Sequence, residues 1–234
     1  MNEPDEIIVI SLGGSLICPD RIDIEFLKKF KDIIISQIKK GKRFVLITGG
    51  GRTARNYQAA AKEVVGVDKD DLDWLGIHAT MINAHLVRTI FRKYARPHIN
   101  HNPTETLDFK EKIKEKILVA SGWKPGFSTD YDAVMLAKQF GVKKIINLSN
   151  IDYVYDKDPS KFPDAKPYKE ISWNDFRKLV GNRWDPGLNM PFDPVASKEA
   201  EKLKLTVFIA NGSDLDNLDK IISGEKPRKA TIIG

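Results

Sequence analysis

The chain has 234 residues, of which 41% are hydrophobic and 30% charged, with a formal net charge of +6 and one cysteine, Cys18. This length and apolar content fit one large α/β domain and exclude a disordered chain. The lone cysteine precludes an internal disulfide and suits a cytoplasmic setting, the acidic start lacks the basic and apolar regions of a signal peptide, and no apolar run approaches the ~20 residues that span a bilayer.

The basic excess is dispersed as lysine pairs among acids, the pattern of a solvated surface. With no zinc-finger spacing and no aromatic RNA-binding signature, a nucleic-acid partner is not expected.

Residues 7–11 are rich in β-branched side chains and read as a strand running into Leu12-Gly13-Gly14-Ser15. Apolar residues at helical spacing predict a helix over 24–40, with Gly41 suited to its C-terminal turn. A second buried strand, Phe44-Val45-Leu46-Ile47, stops at Gly49-Gly50-Gly51. Three glycines let backbone N–H groups approach a ligand closely, and the following helix, expected over 53–64, aims its positive end there. Arg52 and Arg55 add fixed positive charge. The plainer alternative is a tight strand-to-helix turn with arginines in solvent.

Residues 65–71 read as a connection, and Asp73 opens a long helical pattern to about Tyr94, placed where an acid favours a helix start. His78 and His85 share a face of that helix but have no partner at metal-ligand spacing. A strand over 117–120 leads into Trp123-Lys124-Pro125-Gly126-Phe127-Ser128-Thr129-Asp130, a loop more polar than a connection requires. Ser128 or Thr129 can cap the helix over 130–140. A strand over 144–149 feeds the polar, aromatic loop over 150–159, a common ligand position in α/β sheets. Surface chain over 160–168, a helix over 172–179, an irregular loop over 181–194, a helix over 196–203, a strand over 206–209, a helix over 214–222 and a strand over 231–233 complete the chain. Such alternation implies a largely parallel sheet covered by helices on both faces, with the strand-end loops opening into one crevice.

Several N–H cradles around one crevice suit several phosphates. The P-loop, dinucleotide-binding and protein-kinase signatures are all absent. Six segments in order instead carry a resemblance: Leu12-Gly13-Gly14-Ser15; Gly49-Gly50-Gly51 with Arg55; Asp73-Trp74-Leu75-Gly76-Ile77; Pro125-Gly126-Phe127-Ser128-Thr129-Asp130; Asn150-Ile151-Asp152-Tyr153-Val154-Tyr155 with Asp158-Pro159; and Phe192-Asp193-Pro194-Val195-Ala196. Together they resemble the amino acid kinase family over nearly the whole chain, and within it the UMP kinases of archaeal type.

The resemblance implies a three-layer αβα sandwich on a mainly parallel sheet of about eight strands, as a single domain over 1–234. An N-terminal lobe over about 1–141 would bind the nucleoside monophosphate and oligomerise, and a C-terminal lobe over about 142–234 would bind ATP. It implies Mg²⁺-ATP as donor, UMP as acceptor and a homo-oligomer, commonly a hexamer. By position, Gly14, Ser15, Gly51 and Arg55 would contact the ATP phosphates, and Ser149, Tyr155 and Asp158 the adenosine. Gly50, Asp73 and the loop Trp123, Lys124, Pro125, Gly126, Phe127, Ser128 and Thr129 would hold UMP, Asp73 through ribose hydroxyls. Asp130 would be the organising carboxylate.

The chain departs from the family at Ser11, where many members carry a lysine that stabilises the transferred phosphoryl group. Arg52, Arg55 or Lys124 is therefore expected to supply the charge. The departure keeps two other readings open: a kinase of the family with a different phosphate or carboxylate acceptor, and a non-catalytic nucleotide- or oxyanion-binding assembly.

Overall fold

The computed structural model describes residues 6–109, 114–181 and 190–234. Residues 1–5 and most of the irregular loop expected over 181–194 lie outside the described residues.

The elements follow in chain order. The first half comprises β1 (Glu6–Leu12), α1 (Gly14–Ile17), α2 (Ile24–Lys39), β2 (Lys42–Thr48), α3 (Gly51–Val64), α4 (Lys69–Ile90), β3 (Ile117–Ala120) and α5 (Thr129–Phe140). The second comprises β4 (Lys144–Ser149), β5 (Val154–Tyr155), β6 (Pro167–Tyr168), β7 (Glu170–Ile171), α6 (Trp173–Val180), α7 (Pro194–Lys202), β8 (Thr206–Asn211), α8 (Leu215–Ile222) and β9 (Thr231–Ile233).

One seven-stranded sheet runs in the order β3-β2-β1-β4-β8-β9-β7. All its pairings are parallel except β8 with β9. Seven strands among the described residues accord with the expected mainly parallel sheet of about eight, and β5 and β6 form a separate antiparallel ribbon. Each strand of that ribbon is only two residues long, and the 156–166 excursion that joins them is closed by Asp156 and Lys166. The β1–β4 pairing joins the chain's two halves in one continuous sheet.

Helices cover both faces, and the period of two in β1 shows how the chain divides its core. Ile8, Ile10 and Leu12 pack with Phe26, Phe30 and Ile34 of α2 and Leu218 and Ile222 of α8. Val9 points the other way, to Val134 and Phe140 of α5, Phe176 of α6 and Ala196 of α7. Ser11 shares Val9's parity and so faces α5. Burial on both faces explains why these strands read as continuous apolar runs rather than alternating ones.

Helix starts are set by side-chain caps that satisfy otherwise orphan N–H groups. Asp23 accepts from Phe26 N, Ser128 from Tyr131 N, Ser172 from Asp175 N, and Asp193 from Ala196 N just before Pro194. The start of α4 differs from expectation: Asp68 is the cap, accepting from Asp71 N at 2.8 Å. Asp73 therefore lies within the helix and is free for another task.

Candidate active site

The carboxyl ends of β1, β2, β3 and β4 meet at a crevice of about 520 Å³. Its walls include Gly14, Ser15, Gly50 and Gly51 from the two glycine turns, and Ser128 and Thr129 from the start of α5. Ala54, Arg55 and Gln58 of α3 and Asp73, Gly76, Ile77 and Thr80 of α4 form one side. The α4 set recurs at i, i+3, i+4 and i+7, one stripe of a helix. A second cavity of about 480 Å³ lies at the amino ends of the strands between Ile7, Phe140, Phe208 and Ile222, and holds none of the expected site residues.

The glycine turns are also constrained by each other. A Cβ on Gly14 would lie 2.1 Å from Gly51 N, and one on Gly51 would lie 2.2 Å from Gly14 O. One on Gly49 would lie 2.6 Å from Gly14 N. The glycines are required because the two turns pack backbone on backbone, and Gly51 also sits at φ +62°. Arg52 N–H is bonded to Cys18 O at 3.1 Å, whereas no described carbonyl accepts from Gly50 or Gly51. Those two N–H groups at the positive end of α3 remain available to an anion in the crevice.

The three proposed cations separate. Arg55 is the cation among the residues lining the crevice, and it is exposed to it. Arg52 instead points to Asp20, with NH2 to Oδ1 at 2.7 Å. Lys124 lies over the Trp123 ring at 4.0 Å and the Phe127 ring at 5.3 Å. Trp123, Phe127 and Tyr131 form a run of ring contacts at 5.2 and 4.6 Å, which stiffens the loop that carries Lys124. Thr80 Oγ1 accepts from Gly122 N at 2.8 Å, and Asp73 Oδ2 accepts from Gly126 N at 2.7 Å. The loop between β3 and α5 is thus tied at two points to α4.

Beside the crevice lies an acidic corner. Asp130 accepts from Ser11 Oγ at 3.1 Å and from Asp193 N at 3.1 Å. Ser11, near the end of β1, is thus a hydroxyl donor to the buried Asp130. Asp130 is pushed up to about 7, first by burial of its carboxyl and then by the Asp193 charge, with the Asp193 N–H and the Ser11 hydroxyl opposing. Burial likewise raises Asp193, against the Ala196 N–H and the Ser128 hydroxyl. Asp132 is raised well above the usual carboxylate range, again mainly by burial, with the Trp123 N–H opposing and the Asp130 and Asp193 charges adding to the rise. No described lysine or arginine forms a salt bridge with any of the three.

The expected adenosine residues lie beyond β4. Ser149 closes that strand with its hydroxyl buried and unpartnered, and its neighbour Asn150 reaches the crevice. Tyr155 lies in the β5–β6 ribbon, edge-on to Tyr153 at 6.4 Å. Asp158 accepts from Ser160 N and Oγ at 2.9 and 2.7 Å, holding an exposed turn. None of these three lines the acceptor crevice. Gln58, Thr80, Asn150 and Asp132 were not singled out from sequence. Asp132 is a first-turn acid of α5 and Gln58 a polar residue of α3, positions that by themselves mark no site.

Comparison with known proteins agrees with this geometry. The family model described as "Amino acid kinase family" matches residues 6–211. The chain is 35% identical to a uridylate kinase of Thermoplasma volcanium over 98% of each protein. It is 34% identical to a uridylate kinase of Methanobrevibacter smithii, covering 94% of this chain and 96% of that one. Among solved structures, the uridylate kinase of Archaeoglobus fulgidus superposes with a TM-score of 0.80 at 28% identity, over 98% of this chain and 100% of the other. The UMP kinase of Bacillus anthracis, at 21% identity and a TM-score of 0.78, shares the fold. The chain belongs to the amino acid kinase family.

Proposed function

We propose that this chain is a UMP kinase, transferring the γ-phosphoryl group of Mg²⁺-ATP to UMP to give UDP and ADP. The observation that carries the reading is the joining of the two glycine turns with Arg55 and Asp73 around one crevice, in a chain 35% identical to a uridylate kinase over 98% of its length.

UMP arrives as an anionic phosphate, so one of its oxygens attacks the γ-phosphorus without prior loss of a proton. The bond from the γ-phosphorus to the β–γ bridging oxygen breaks, and ADP leaves with that electron pair. The protein's task is to align two anions and offset charge as the group moves. The free N–H groups of Gly50 and Gly51 and the guanidinium of Arg55 do this on one side. Gly14 and Ser15 face the donor phosphates. Gly50, Asp73 and the 123–129 loop hold UMP, while Ser149, Tyr155 and Asp158 flank the donor nucleoside.

Among the described residues no three His, Cys, Asp or Glu side chains come together as a metal cage. That fits Mg²⁺, which is commonly held by one or two carboxylates together with substrate phosphates. Asp130 and Asp193 are the residues suited to it. When bound, the ion neutralises developing phosphate charge. Asp130, with Ser11 and the Asp193 N–H, orients the groups around the transferred phosphoryl and needs to take no proton from UMP.

The same reading includes self-association and a cytoplasmic location. Tyr57, Val64, Val65, Trp74 and Ile82 of the α3–α4 layer are exposed apolar side chains, a composition that suits a subunit contact. A hexamer is the assembly proposed. No helix of the described residues is long and apolar enough to cross a membrane.

The test is ADP release from Mg²⁺-ATP with UMP, CMP, dUMP, isopentenyl phosphate or no acceptor. Rapid turnover with UMP is expected. ADP release independent of any acceptor, or turnover confined to a different acceptor, would overturn the proposal.

A further inference from the structure

Gln58 lies on the crevice wall, three residues along α3 from Arg55 and therefore about 5 Å further along the helix axis. Its Nε2 donates to the Leu72 carbonyl of α4 at 2.8 Å. A carbonyl can only accept, so this bond fixes which end of the amide is which. The NH₂ end is held by α4, and Oε1 is left as an acceptor to which no described residue donates. Gly76 makes this placement possible, because a Cβ there would lie 3.2 Å from Nε2. Asp73, on the same stripe of α4 as Gly76, is the other side chain at this point, and its Oδ2 is already engaged by Gly126 N.

The crevice thus has two oxygen acceptors among its lining residues, a neutral one on α3 and a carboxylate on α4 next in the chain to Leu72. Neither suits a phosphate oxygen, which needs donors. A uracil edge offers a single N–H between two carbonyls and matches poorly. A vicinal diol offers two O–H donors on adjacent carbons and matches well.

We propose that Gln58 is a specificity-determining residue whose Oε1 accepts from one ribose hydroxyl while Asp73 accepts from the other, selecting ribonucleoside over deoxyribonucleoside monophosphates. The assignment rests on the functional reading above. One turn of α3 then carries both Arg55, which faces phosphate, and Gln58, which with Asp73 of α4 holds the UMP ribose.

The experiment is equilibrium binding of UMP, 2′-deoxyUMP and 3′-deoxyUMP by calorimetry to wild type and to Gln58→Leu, with thermal melts to establish folding. Each deoxy analogue is expected to bind wild type about tenfold more weakly than UMP, the scale of one hydrogen bond to a fixed acceptor. In Gln58→Leu, UMP binding falls about tenfold and the penalty for one analogue disappears, while the penalty for the other, held by Asp73, persists. Equal binding of all three nucleotides to wild type would overturn the assignment without any variant. So would a parallel loss for all three in Gln58→Leu, which would mark Gln58 as a packing residue, or no change in any. Wild-type protein that bound none of them would overturn the functional reading as well, a result distinct from the others.

Discussion

The site has two unlike sides, the crevice and the acidic corner beside it. On one, the Gly13-Gly14 and Gly49-Gly50-Gly51 turns press backbone on backbone and leave N–H groups, with Arg55, facing open space. On the other, Asp130, Asp132 and Asp193 crowd together with no described cation between them. The first side is geometrically rigid and electrically suited to phosphate. The second is electrically uncomfortable in the protein alone, and its carboxyl groups respond by holding their protons more tightly. The contrast shows two ways in which one fold prepares a site: fixed donors where charge must be received, and strained acids where cations and donors must be organised.

The largest effect comes from breaking the rigid side. Gly51→Ala would place a methyl group 2.2 Å from Gly14 O on a residue at φ +62°. We expect a loss of about 3 kcal/mol or more in urea denaturation, with turnover lost alongside. A variant with unchanged midpoint and activity would mean that the turns do not pack as described.

Arg55→Ala separates charge from geometry on the same side. The residue is exposed, so the melting temperature should move little while turnover falls about 10²-fold or more. Arg52→Ala is the matched control, since it removes an exposed ion pair with Asp20, and its cost to stability should stay below about 1 kcal/mol. If Arg52→Ala lost more turnover than Arg55→Ala, the assignment of the crevice cation would have to be exchanged.

The acidic side is tested by pH. Asp130 is raised from 3.8 to about 7 in the fold, so the folded protein binds this proton more tightly than the unfolded chain does. Its contribution to stability is therefore fully present below pH 3.8 and lost as pH rises through about 7. Asp132 and Asp193, raised by the same cause, act in the same direction. Asp130→Asn should melt about 3 °C or more above wild type at pH 8, and the gap should close as pH falls toward 4. Turnover of the same variant should fall. A variant less stable than wild type at pH 8 would show that the corner is not strained.

Much of this was legible in sequence, and the failures have physical reasons. The apolar runs at β1, β2 and β4 and the capped helices are set by local pattern, which survives folding. The two-residue strands β5 and β6 are too short to carry a period, so β5 read as part of the polar loop over 150–159 and β6 as part of the surface chain over 160–168. Asp73 looked like a helix start because Asp68, five residues earlier, sat in what read as a connection. The glycines were correctly placed at the crevice, but sequence cannot show that each turn excludes a Cβ from the other. Gln58 and Asp132 gave no signal. The role of the first depends on the Leu72 carbonyl across a helix interface, and the state of the second on burial between α5 and its neighbours.

The most direct test of the central claim follows the γ-phosphoryl label of ATP into UMP, with wild type and Arg55→Ala side by side and their melting curves recorded. The account predicts labelled UDP from wild type and about 10²-fold less from an equally stable Arg55→Ala. Label released as inorganic phosphate, or transferred equally by both proteins, would contradict it.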